Sequence, residues 1–125
     1  METSILISTK KILGVPEDYT VFDHDIVTHI NSTFSILAQL GVGPADGFMI
    51  EGPDETWDQF MPEQDPQFNN VKTYVYLQTR AYFDPPTTSY MIAAMERQIE
   101  ELVWRMNVHR EETQWTDPNP EVVRE

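Results

Sequence analysis

The sequence predicts an all-α fold, a small helical bundle of about four main helices with a long loop and an extended C-terminal arm, on three observations. Apolar residues recur at spacings of three, four or seven in four separate segments, as an amphipathic helix requires. Prolines and glycines fall between those segments. The 125 residues also include three Trp, five Tyr and six Phe within a 40% apolar composition, enough to build a core despite a net charge of -13. A chain of this length forms one domain and removes roughly two thirds of its unfolded surface from water.

The first helix spans Ser4 to Leu13. Ile5 and Ile12, and Leu6 and Leu13, are spaced at sevens, Lys10 and Lys11 occupy the last turn where the helix dipole favours cations, and Gly14 stops it. Pro16 forbids continuation. Thr20, with Asp23 three residues later, resembles a capping box and opens a second helix. Its stripe is Phe22, Ile26, Ile30, Phe34, Leu37 and Leu40, ending at Gly41. From Val42 to Asp65 the pattern dissolves into Gly43-Pro44, Gly47, Gly52-Pro53 and Pro62. So long a segment is expected to be an Ω-like functional loop. Within it, Asp54 is positioned to cap a short turn around Trp57 to Met61.

Asp65-Pro66 is a helix start, with Asp as N-cap and Pro in the first turn. The helix from Gln67 to Phe83 is apolar on two sides, with Phe68, Val71, Val75 and Tyr82 on one and Tyr74, Leu77 and Ala81 on the other. It is therefore expected at the centre of the bundle. Asp84-Pro85-Pro86 ends it. Thr87 or Thr88 caps the longest helix, which runs to about Glu111 with the stripe Ile92, Met95, Ile99, Leu102, Met106 and His109. Glu101 and Arg105 form an i,i+4 pair on its wet side. The organisation is thus a helical domain over 1–111 and an arm over 112–125.

Charge and motifs narrow the function. The sixty residues from Ile12 to Val71 contain no Lys or Arg and eleven acids, a field that repels phosphate and argues against ordinary nucleic-acid binding. Without cysteine there is no disulfide, thiolate metal site or Cys nucleophile. Met1-Glu2-Thr3-Ser4 lacks the character of a signal peptide and no apolar run approaches eighteen residues, so a soluble, intracellularly made protein with no membrane role is expected.

No constellation carries catalysis. His24 and His29 are five residues apart, about 140° around a helix, unlike the i,i+4 pair of a zinc site, and a surface pair of Asp25 with His29 is the better reading. Asp54-Glu55-Thr56-Trp57-Asp58 lacks the order of a calcium loop. Asn31-Ser32-Thr33 matches a glycosylation triplet only by chance, inside a helix. Gly41-Val42-Gly43 follows a helix and has no Gly-Lys-Ser/Thr, and adjacent Glu100 and Glu101 diverge. No cofactor, metal or enzymatic activity is expected.

Four aromatics stand out as candidate interface anchors: Trp57 and Phe60 in the acidic loop, Trp104 beside the last stripe and Trp115 in the polar tail. Core packing is the competing reading for Trp57 and Trp104. For Trp115 an interface is favoured, because the domain has ended by Glu111.

Three ordered segments resemble the small helical head-to-tail adaptor proteins of tailed bacteriophages. They are Ser4-Ile-Leu-Ile-Ser-Thr-Lys-Lys-Ile-Leu-Gly14, Phe22-Asp-His-Asp-Ile-Val-Thr-His-Ile-Asn31 with Gln39-Leu-Gly-Val-Gly-Pro44, and Val71-Lys-Thr-Tyr-Val-Tyr-Leu-Gln-Thr-Arg80 with Phe83-Asp-Pro-Pro86. The resemblance covers residues 3 to 108. It implies a non-enzymatic structural virion protein, a head-tail connector, made in the host cytoplasm. Its subunits would form a homo-oligomeric ring, a dodecamer, between the portal protein and a tail or stopper protein, with DNA passing through unbound. The family transfers no site residues. On their own chemistry, Asp46, Glu51, Asp54, Glu55 and Asp58 are the candidates to face the channel, since an acidic wall lets DNA slide without counterion-releasing contacts. A heterologous contact that closes by rotation gives a ring. The competing class is an acidic DNA mimic that inhibits a nucleic-acid enzyme, motivated by charge alone; a small metal-dependent enzyme ranks third.

Overall fold

The computed structural model describes the backbone of residues 3–114 and the side chains of residues 3–108. Among these residues five helices follow one another: α1 (Ile5–Leu13), α2 (Asp23–Gln39), the single turn α3 (Trp57–Phe60), α4 (Phe68–Phe83) and α5 (Ser89–Gln114). Among the described residues the only extended pairing is an isolated antiparallel bridge between Ser4 and Thr56.

The helix with two apolar sides is the centre of the bundle. α4 packs against α1, α2 and α5, and α1 also touches α2. Val71, Tyr74, Val75 and Thr79 of α4 are buried. The α2 stripe meets them with Ile26, Ile30, Phe34 and Leu37, while Phe22, at the very start, stays 38% exposed. α5 contributes Leu102 and Met106 to the core and Ile99 to its edge. Its first turn is exposed, Ile92 of the predicted stripe included. In α1 only Ile5 and Leu6 are buried among the four predicted apolar positions; Ile12 faces solvent.

Glycine closes α1 and α2 as expected. Gly14 and Gly41 take φ of 78° and 79°. After each, the next residue's amide donates back across the helix end, Val15 to Lys10 and Val42 to Leu37, which satisfies carbonyls the helix leaves open. At the other ends the structure revises the details. α2 begins at Asp23 after Phe22, without a side-chain cap, because the Asp23 carboxylate is held by Lys10 at 2.8 Å instead of folding back on the helix. The α3 turn is capped by Thr56, whose amide donates to Gln59 Oε1 at 3.0 Å, and not by Asp54. Asp65 does cap the entry to α4, accepting from the Gln67 amide at 2.8 Å, although regular helix starts only at Phe68. Thr88 Oγ1 accepts from the Met91 amide at 3.3 Å and so starts α5. That helix runs to Gln114, past the expected Glu111 and into the segment expected as an arm. The rest of that arm lies outside the described residues.

Lys10 departs furthest from its sequence reading. Only 1% exposed, it sits inside the fold. Its ammonium donates to the carbonyls of Glu17 and Tyr19, each at 2.9 Å, and pairs with Asp23. Three elements are thereby joined: α1, the turn after it and the start of α2.

The loop between α2 and α4 is fastened rather than free. Asn31, on the flank of α2, clamps Ile50 from both sides, its Nδ2 donating to the carbonyl at 2.9 Å and its Oδ1 accepting from the amide at 2.8 Å. Ser4 Oγ donates to the Pro53 carbonyl, and the backbones of Thr3 and Ile5 pair with Trp57 and Glu55. Near its start, Gly43 adopts φ +90°, and a Cβ there would lie 2.5 Å from the Phe60 ring. That ring is backed by Phe34 at 4.6 Å and Phe48 at 5.5 Å, so it has nowhere to go. Gly43→Ala is expected to cost about 2 to 4 kcal/mol from left-handed strain and overpacking together. A urea midpoint indistinguishable from wild type would contradict this close approach.

Burial raises the phenol pKa of Tyr74 and Tyr76 above the ordinary 10.0, because the phenolate loses solvation; Gln78 opposes the shift at Tyr74, and Ser8 and Trp57 at Tyr76. The folded state thus holds these protons more tightly than the unfolded one. Their contribution is full below about pH 10 and is lost as pH rises beyond it. Wild type should lose stability more steeply above that pH than a Tyr74→Phe/Tyr76→Phe variant, measured by denaturant midpoints; parallel curves would contradict the assignment.

Candidate interaction surfaces

Trp57 and Phe60, read from sequence as interface anchors, are core residues. Each is 3% exposed. The indole Nε1 of Trp57 donates to Ser8 Oγ at 2.9 Å, and its ring meets Phe34, Phe68 and Tyr76 edge-on. The physical reason lies in the loop anchors: with the chain pinned at Ser4 and Asn31, the α3 turn is folded inward onto α1, α2 and α4. Lys72 then covers that aromatic wall, its ammonium 5.8 Å from the Trp57 ring and 5.0 Å from the Phe68 ring. Asp58 and Glu63 line the same hollow. The first cation after the acidic stretch therefore sits against the acidic loop itself.

Trp104 is the one described anchor candidate on the surface, 64% exposed on α5 beside the Glu101–Arg105 ion pair of 2.6 Å. That pair is exposed to solvent on both sides and contributes little. Trp115 lies outside the described residues. Of the loop acids, Asp46, Glu51, Asp54 and Asp58 are exposed. Glu55 is not a free surface acid. Half-buried, its carboxylate accepts from the amides of Glu51 at 3.0 Å and Gly52 at 3.4 Å and closes the loop on itself.

The two histidines point apart, as their spacing requires. His24 is exposed, while the His29 ring stacks against Tyr82 at 5.5 Å, which replaces the expected pairing with Asp25. Among the described residues the ion pairs are Lys10–Asp23 and Glu101–Arg105, and no group of three or more His, Asp or Glu is gathered to hold a metal. No described helix is long and apolar enough to cross a membrane.

The sequence reading missed an apolar end of the bundle. Among the described residues, apart from Met49 and Trp104, every exposed large apolar side chain lies in one of two stretches, residues 12–22 and 82–92. The fold brings these stretches together: Phe22, before α2, contacts Phe83, at the end of α4, with ring centroids 5.3 Å apart, and Tyr19 in turn meets Phe22 at 5.6 Å. α5 starts only a few residues after α4 ends, so Tyr90, 82% exposed, and Met91 stand at the same end. Between them and Leu77, Arg80 and Pro86 runs an open groove of about 340 Å³. Neither stretch contains Lys or Arg, whereas Glu17, Asp18 and Asp84 are exposed within them. The signal was present in the sequence as apolar residues in the turn before α2 and at Tyr90-Met91, ahead of the stripe they do not belong to.

Comparison with known proteins bears on a chain of this shape. No curated protein and no solved structure matches it significantly. A family model described as phage connector protein matches residues 5–113, from the first residue of α1 almost to the end of α5. The match thus spans all five helices and the pinned loop, and on that extent the chain belongs to the phage connector protein family.

Proposed function

We propose that this chain is a structural head-to-tail connector subunit that forms a ring beneath the portal, joins the filled capsid to the tail and lets DNA pass without specific binding. The family match over the whole helical body is the observation that supports this reading most strongly. The exposed acids Asp46, Glu51, Asp54 and Asp58 face the channel in this proposal, where a negatively charged wall keeps DNA mobile. Trp104 serves the contact between neighbouring subunits. The role requires no catalytic chemistry of the chain.

Electron microscopy of the purified protein mixed with portal tests the proposal. Rings on the portal are expected; a chain that stays monomeric and associates with neither portal nor virions would contradict it. Trp104→Ala is expected to leave the melting temperature within about 1 °C, since surface substitutions change stability little, while reducing ring formation. Unchanged ring formation would remove Trp104 from the interface.

A further inference from the structure

We infer that the apolar end of the bundle, spanning residues 12–22 and 82–92, is the docking surface for a different protein, one that presents an apolar protrusion flanked by Lys and Arg. The inference rests on the connector reading and adds to it which surface engages the neighbouring head or tail component.

Three observations carry it. The exposed apolar side chains are concentrated at this end, and concentrated apolar surface marks an interaction site where scattered residues do not. The patch is also pre-formed. Tyr19, Phe22 and Phe83 lock one another edge to face, and His29 holds Tyr82, so little side-chain freedom remains to be lost on binding. Beside them the groove under Tyr90 and Met91 offers a recess for an inserted side chain.

Charge selects the occupant. Exposed Glu17, Asp18 and Asp84 accompany the apolar groups, and Asp25 follows on the first turn of α2. Lys11 adjoins the patch and Arg80 lines the groove, while Lys10 is already consumed inside the fold. The contact between copies in the proposed ring is placed at Trp104, and a second copy meeting this end with the same end, or with its exposed loop acids, would bring like charge against these acids. An acidic lipid surface is repelled for the same reason. A protein whose apolar protrusion is rimmed by cations gains complementarity instead, with faster association that weakens as salt rises.

The test uses the full-length chain and two probes, the purified portal ring and the purified tail-completion protein of the same phage. Tyr90→Lys and Val21→Lys alter side chains that are 82% and 69% exposed, so the fold is retained, as a melting curve verifies. Each is expected to weaken binding to one of the probes by about tenfold or more. Met49→Lys, equally exposed but outside the patch, should leave that affinity unchanged. Wild-type binding should also weaken with added salt. If wild type binds a probe and both patch variants bind it equally well, this inference fails while the connector reading stands. If the patch variants lose only self-association, the occupant is a second copy and the inference is overturned. If wild type binds neither probe, the connector reading fails first and the inference falls with it.

Discussion

Lys10→Met should lower stability by about 3 to 5 kcal/mol, the cost of removing one partner from a buried ion pair. The side chain of Lys10 is 2% exposed and that of Asp23 28%, so water screens little of the loss. Methionine fills much the same volume but leaves the carbonyls of Glu17 and Tyr19 and the Asp23 carboxylate without their donor. For a domain whose total stability is about 5 to 15 kcal/mol, that is a large fraction. A Lys10→Met/Asp23→Leu variant should recover only part of it, because the two carbonyls remain unserved. Urea denaturation measures both. A single variant within about 1 kcal/mol of wild type would mean that the staple between α1 and α2 is not what fixes the bundle end.

Trp57→Ala should be comparably severe, about 3 to 5 kcal/mol, because a large buried aromatic is lost and its cavity is ringed by Phe34, Phe68 and Tyr76. The hydrogen bond to Ser8 goes with it. The expected result is an isolated subunit that melts early, with assembly failing only as a consequence. Normal melting combined with failed assembly would restore Trp57 to the interface and contradict its placement in the core. The contrast with Trp104→Ala, which should do the reverse, separates the two roles.

Helix positions were legible because amphipathic spacing, Gly14, Gly41, Asp65 and Pro85-Pro86 act locally, and α4 announced its central place by being apolar on two sides. What was not legible depends on long-range partners. The last turn of a helix already explains a lysine, so nothing in the sequence asked for Lys10 to be buried with Asp23. Asn31 looked like a stray glycosylation triplet, yet its amide clamps a loop nineteen residues away. That clamp, with Ser4, turns Trp57 and Phe60 inward; a Gly- and Pro-rich context had suggested the opposite. Of the acidic stretch, Asp46, Glu51, Asp54 and Asp58 are exposed, while Asp23 and Glu55 are spent on structure. The exposed aromatic end was not legible because Phe22 and Phe83 come together only when the start of α2 meets the end of α4.

The central claim is that this chain is a built-in part of the head-to-tail junction. Cryo-electron microscopy of intact virions, with mass spectrometry of the same particles, tests it most directly. The account predicts the chain among virion proteins and a ring of helical density matching this bundle between portal and tail. Mature, infectious virions that lack the chain would contradict it.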